Sequence, residues 1–172
     1  MPAGDYSNAR SKINLVMAGV EAGVLGGLFM MAWLATLSLL QGRSIWSMPN
    51  LLASTFYGEA ALRRGFRWTS LSGVALHVIV SAMAGLLFGL AVGGIVNRGR
   101  VMLLGLAAGV AWYFLSVGFF WNYVNPMVPR YSRGGGMLLA HVGLGVFLGS
   151  FPRYLHALET DRAPAKPAIE AD

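Results

Sequence analysis

Leu71–Val96 reads LSGVALHVIVSAMAGLLFGLAVGGIV, and no Asp, Glu, Lys or Arg interrupts it. A helix crossing a hydrocarbon core about 30 Å thick needs roughly 20 apolar residues, so this run is long enough to span. A barrel strand would instead alternate apolar and polar residues over about ten positions. Working outward, three further runs have the same character: Leu15–Leu40, Val101–Trp121 and Met137–His156, the last interrupted in its final turn by Pro152 and Arg153. The first run exceeds the length of a signal-peptide core and reads as a retained span. The expected fold is all-α, an integral membrane four-helix bundle. A polar segment, 1–14, precedes the four-span domain, 15–156, and an Ala- and Pro-rich tail, 157–172, is expected to be disordered.

Composition agrees. Of 172 residues, 56% are hydrophobic and 12% charged, whereas soluble domains carry about 25% charged residues. So few charges cannot cover a water-facing surface, and lipid must take its place. The net charge of +6 comes from thirteen Lys and Arg that sit at the ends of apolar runs and in the segments between them. That placement fits headgroup contact and argues against nucleic acid. The absence of cysteine excludes disulfides and thiolate chemistry.

Spans two and three are joined by the tight turn Asn97-Arg98-Gly99-Arg100, which predicts antiparallel neighbours. The first loop, Gln41 to Ser70, contains a stretch in which Leu51, Leu52, Thr55, Phe56 and Leu62 share a helical face. It reads either as a short helix lying in the membrane interface or as a loop helix packed on the bundle. Trp46, Tyr57, Trp68, Trp121, Tyr123 and Tyr131 all fall on the side of the two long loops, as an aromatic belt would. Lys and Arg divide almost evenly between the two sides. Localisation is expected in a bacterial plasma (inner) membrane, with both termini cytoplasmic. Spans two and four align on their histidines, Leu76-His77-Val78 against Ala140-His141-Val142, with Gly85 meeting Gly149. Such a register suggests a duplicated hairpin, with a pseudo-twofold axis along the membrane normal.

Glycines recur at four-residue spacing in every span: Gly19, Gly23 and Gly27; Gly85, Gly89 and Gly93; Gly105 and Gly109; Gly145 and Gly149. Lipid tails are as apolar as leucine, so burial alone does not associate helices in a bilayer. Small residues four apart let backbones touch. The stripes serve packing within the chain, or one of them docks a partner subunit.

His77 and His141 lie about 7 Å inside spans that run in the same direction, at 1.5 Å per residue, each on a face with small residues. Two histidines at one depth can ligate a b-type haem, or each can hydrogen-bond across the bundle. A zinc or copper site lacks a third ligand, and His156 lies on the opposite side. Glu21 is the only acidic residue inside a span. It reads as an interfacial ion pair with Arg98 or Arg100, or as a proton or cation site. Asn122, Asn125 and the run Arg130-Tyr131-Ser132-Arg133-Gly134-Gly135-Gly136 form a polar cluster on the histidine side, suited to an anionic headgroup or an acidic loop.

No phosphate-binding loop, HExxH, GxSxG or paired carboxylates occur, which argues against a conventional enzyme. The expected function is a polytopic, non-catalytic accessory or scaffold subunit of a larger membrane complex. Its partners would be lipid and either other membrane subunits or further copies of itself. The alternatives are a haem-binding electron carrier using His77 and His141, and a small transporter or channel. The spans offer few polar residues to line a pore.

Overall fold

The computed structural model describes residues 3–95, 97–132 and 134–161. Every element among them is helical: α1 (Ala3–Leu40), α2 (Ser47–Tyr57), a 3₁₀ segment (Gly58–Leu62), α3 (Trp68–Val92), α4 (Arg98–Leu115), a π-helical turn (Ser116–Phe120), α5 (Trp121–Val124), α6 (Met127–Ser132), α7 (Gly135–Gly149) and α8 (Phe151–Asp161). Four stretches are long and apolar enough to cross a membrane: Ser11–Leu40, Trp68–Val92, Arg98–Val124 and Gly135–Thr160. α1 takes in the polar segment from its third residue. α8 carries helix to Asp161, and the rest of the expected tail, 162–172, lies outside the described residues. The fourth span is broken at Ser150, whose N–H bonds Val146 and Phe147 before α8 restarts with Arg153 N–H to Ser150 O at 2.9 Å. Pro152 causes the break. It has no N–H to give, and its ring clashes with the preceding turn.

Two hairpins form the frame. In the first, α1 packs antiparallel on α3. A Cβ built on Gly19 would lie 2.6 Å from Gly85 O, and one on Gly23 would collide with Ser81 O. In the second, α4 packs antiparallel on α7. A Cβ on Gly145 would lie 2.7 Å from Gly105 O, and one on Gly109 would collide with His141 O. Gly27 meets Ser81, Gly89 meets Phe151 and Gly19, Gly93 meets Leu15, and Gly149 meets Met102. All ten stripe glycines therefore face partners inside the chain. The hairpins join through α1 and α7, where the Phe29 ring sits over Gly143, Leu144 over Gly26, and the Trp33 indole N–H donates to Gly136 O at 2.9 Å.

The packing order is thus α3, α1, α7, α4. The expected turn Asn97-Arg98-Gly99-Arg100 is instead the capped start of α4, with Asn97 as N-cap, and although α3 and α4 are consecutive they scarcely touch. This corrects the expectation that they pack as neighbours. A perfect twofold would close both seams equally. The α1–α7 seam closes where Phe29 sits on Gly143, Leu144 on Gly26 and Leu37 on Gly136, whereas the buried glycines of α3 and α4 face α1, α2, α7 and α8 instead of each other.

α2 is not spread on the surface. Pro49 through Ser54 are buried consecutively, which no one-sided interfacial helix would show. Pro49 O rests against Gly73 of α3, and Leu51 and Leu52 pack with Trp121 and Val128. Of the residues expected on the inner face, Leu51 and Leu52 face inward, whereas Phe56 and Leu62 are exposed. Two asparagines fix the loops. Asn50 Nδ2 donates to Arg63 O (2.8 Å) and Gly65 O (3.0 Å), while the Ser70 hydroxyl donates to its Oδ1. Asn125 Nδ2 reaches Ser54 Oγ (2.8 Å) and Thr55 Oγ1 (3.1 Å), tying the second long loop to α2.

Two outcomes follow from this architecture. Gly105→Ala forces a methyl into the Gly149 backbone and is expected to cost about 1–3 kcal/mol. Gly118→Ala meets nothing within 4 Å and should leave thermal stability in detergent unchanged or slightly raised. Equal melting temperatures for the two variants would contradict the packing described. With four crossings, reporter fusions at Ser7 and Arg162 should report one compartment. Opposite compartments would mean that α7 and α8 do not together complete a span.

Candidate functional site

The open seam leaves a cavity of about 400 Å³ between α3 and α4. α1 supplies its back wall through Met30 and Leu34, α7 through Met137 and His141, and α2 and α6 cap it through Leu52 and Val128. No Asp, Glu, Lys or Arg lines it. Its polar groups are His77 and Ser81 from α3, Ser116 from the π-helical turn and His141 from α7. The two histidines therefore reach one cavity from two hairpins.

Their hydrogen bonds assign opposite tautomers. His77 Nε2 lies 2.9 Å from Gly27 O. A carbonyl only accepts, so Nε2 carries the proton. His141 Nδ1 lies 2.8 Å from Met137 O and so carries its proton there. His141 Nε2 is left with a lone pair, 3.3 Å from Ser116 Oγ. The Tyr113 ring meets His141 edge-on at 5.4 Å. The π-helical turn places Ser116. An extra residue in that turn loosens the backbone ladder, and Asn122 Nδ2 satisfies the freed Gly118 O at 2.7 Å.

A haem iron between the rings would need a lone pair from each directed at one point. His77 instead donates through Nε2 to the backbone of its own hairpin, so axial ligation would require that bond to break. No group of three His, Cys, Asp or Glu able to hold a metal ion occurs among the described residues. What the cavity offers is an apolar volume with one acceptor nitrogen and one hydroxyl side by side.

The remaining sequence candidates lie elsewhere. Glu21 is exposed on α1 and forms no ion pair among the described residues. Its electrostatic neighbour is Tyr154 of α8. Asn125 is buried and structural, Asn122 serves its own helix, and Arg130 is exposed. The side chain of Arg133 lies outside the described residues. Ser81 falls on the small-residue face of His77 by helical periodicity, whereas Ser116, Asn50 and Ser70 escaped sequence reasoning because isolated Ser and Asn residues carry no periodic signal. Asn50 beside Pro49 and Asn125 beside Pro126 are the only hint, since such pairs mark turns.

The geometry predicts a purified chain without a Soret band, and His77→Phe with the absorption spectrum of the parent. A Soret band lost in both His77→Phe and His141→Phe would instead establish axial ligation.

No family model, curated protein or solved structure matches the chain, so what the site does has to follow from its own geometry.

Proposed function

We propose that this chain is a non-catalytic integral membrane protein, an accessory or scaffold subunit whose partner inserts an apolar transmembrane segment at the α3–α4 seam. The observation that carries this reading is the seam itself. Protein interiors are close-packed, and two long apolar helices joined by a tight turn ordinarily pack on one another. Here they stand apart over a cavity of about 400 Å³. Leu87 on α3 and Trp112 and Leu115 on α4 line it, and Leu87 and Leu115 are half exposed. All the stripe glycines are engaged within the chain, so a partner must use a different surface, and this seam is the one left open. The cavity wall carries no Asp, Glu, Lys or Arg, and its Ser81 and Ser116 hydroxyls lie on an otherwise apolar surface, which favours binding.

A second reading draws on the His141–Ser116 pair. Ligand sites are mostly apolar pockets of about 300–1,000 Å³ with a few convergent polar groups. A membrane-soluble molecule with one hydroxyl or carbonyl end would suit this volume and this pair. The wall is too apolar to support a channel or transporter for ions.

A photo-crosslinker placed at Leu87 or Trp112 in native membranes tests both readings. Under the first it captures a discrete protein, and a crosslinker at the lipid-exposed Leu103 does not. Under the second it captures no protein, and an extractable small molecule is lost from Ser116→Leu. Crosslinking of bulk lipid alone at all three positions would sink both.

A further inference from the structure

A second cavity, of about 460 Å³, opens on the long-loop side, where α1 ends and α7 begins. Arg43, Arg63 and Arg64 line it, with the hydroxyls of Ser44, Ser47 and Tyr131. No acidic residue does. Glu59 is the only acidic residue between Glu21 and Glu159; it is exposed and stays out of the cavity wall. The inner wall is apolar, made by Leu34, Leu37, Leu51 and Met137. Among the described residues none of the three arginines has an ion-pair partner.

The arginines are held where they are by backbone. Gly42, at φ +68°, turns the chain so that Arg43 N–H bonds Ser38 O at 2.8 Å. Buried Asn50 clamps the carbonyls on either side of Arg64, at Arg63 and Gly65. All three arginines are exposed at this wall, the Arg43 guanidinium also donating to Gln41 Oε1, and an anion seated there would meet positive charge with no carboxylate competing for it. Arginine is suited to phosphate oxygens because its fork of N–H groups matches them. Basic pockets at the ends of transmembrane helices are where anionic headgroups bind.

We propose that this cavity binds a phosphate-bearing anion, and specifically the headgroup of an anionic phospholipid. Arg43, Arg63 and Arg64 hold the phosphate, and the start of an acyl chain lies along Leu37 and Met137. The apolar inner wall selects the lipid source over free phosphate, since a small inorganic ion leaves that wall in contact with water. The proposal does not rest on what fills the α3–α4 seam, with which the cavity shares Leu34, Met48 and Met137.

The test uses the delipidated full chain, with native mass spectrometry and thermal melting. Phosphatidylglycerol should be retained well above phosphatidylcholine. Retention should fall by roughly fivefold for each arginine removed, reaching the phosphatidylcholine level in Arg43→Gln/Arg63→Gln/Arg64→Gln. Arg98→Gln/Arg100→Gln, on the other side of the membrane, should behave as the parent. Inorganic phosphate alone should raise the melting temperature less than phosphatidylglycerol does. An equal effect of phosphate would overturn the lipid assignment and leave a soluble anion. Parental retention in the triple glutamine variant would overturn the site. Should that variant fail to fold, single Arg63→Gln and the triple lysine variant carry the test. Parental retention in Arg63→Gln would overturn the site, and partial retention in the lysine variant would support it.

Discussion

Backbone against backbone at the glycines is the contact on which everything else rests. In lipid there is no hydrophobic gain from bringing two apolar helices together, so association has to come from close dispersion contacts and hydrogen bonds. Gly19 and Gly23 against Gly85, and Gly105 and Gly109 against Gly145, bring main chains together where any Cβ would intrude. Those two seams set the pitch of each hairpin. They also set the depth at which His77 meets Gly27 and His141 meets Ser116.

Having two such hairpins does not by itself give a closed bundle. The matched contacts, Gly23 with Gly85 and Gly105 with Gly149, imply that a second pair of seams should also match. They do not: the joining seam uses recesses at Gly26, Gly136 and Gly143, whereas the buried glycines of α3 and α4 face other helices. One side of the molecule is therefore solid and the other holds a cavity.

Much of this was legible beforehand, and the rest was hidden for identifiable reasons. Run length and missing charge placed four spans to within a few residues, because the bilayer sets a length that composition must meet. Glycine period marked which faces make contact, but a stripe does not name its partner, and so the order α3, α1, α7, α4 could not be read. The short link read at Asn97–Arg100, which is in fact the capped start of α4, suggested the wrong neighbour for the same reason. A turn constrains direction and says little about packing along the next twenty residues. Helical periodicity in the first loop found Leu51 and Leu52. It misplaced Phe56, because α2 is buried all round at its start and exposed at its end. The histidines were identified as polar groups needing partners. Their tautomers are set by the carbonyls of Gly27 and Met137, and backbone acceptors leave no trace in side-chain patterns.

The polar groups inside the helices are mostly paired within the chain. An unpaired polar group in hydrocarbon costs several kcal/mol, and the chain meets that demand internally. Asn50, Ser70, Ser54 and Asn125 bond one another or nearby carbonyls, His77 and His141 are each held by backbone, and Ser116 faces His141. Among the described residues only Thr69 Oγ1 is buried without a partner. Groups committed in this way orient helices and loops. What stays uncommitted is of another kind: a volume at the α3–α4 seam and three positive charges at the membrane face. Leu34, Met48 and Met137 line both cavities, so shape and charge are presented on two sides of one thin wall. Either proposed ligand would thus meet shape or charge on a frame whose own hydrogen bonds are largely closed.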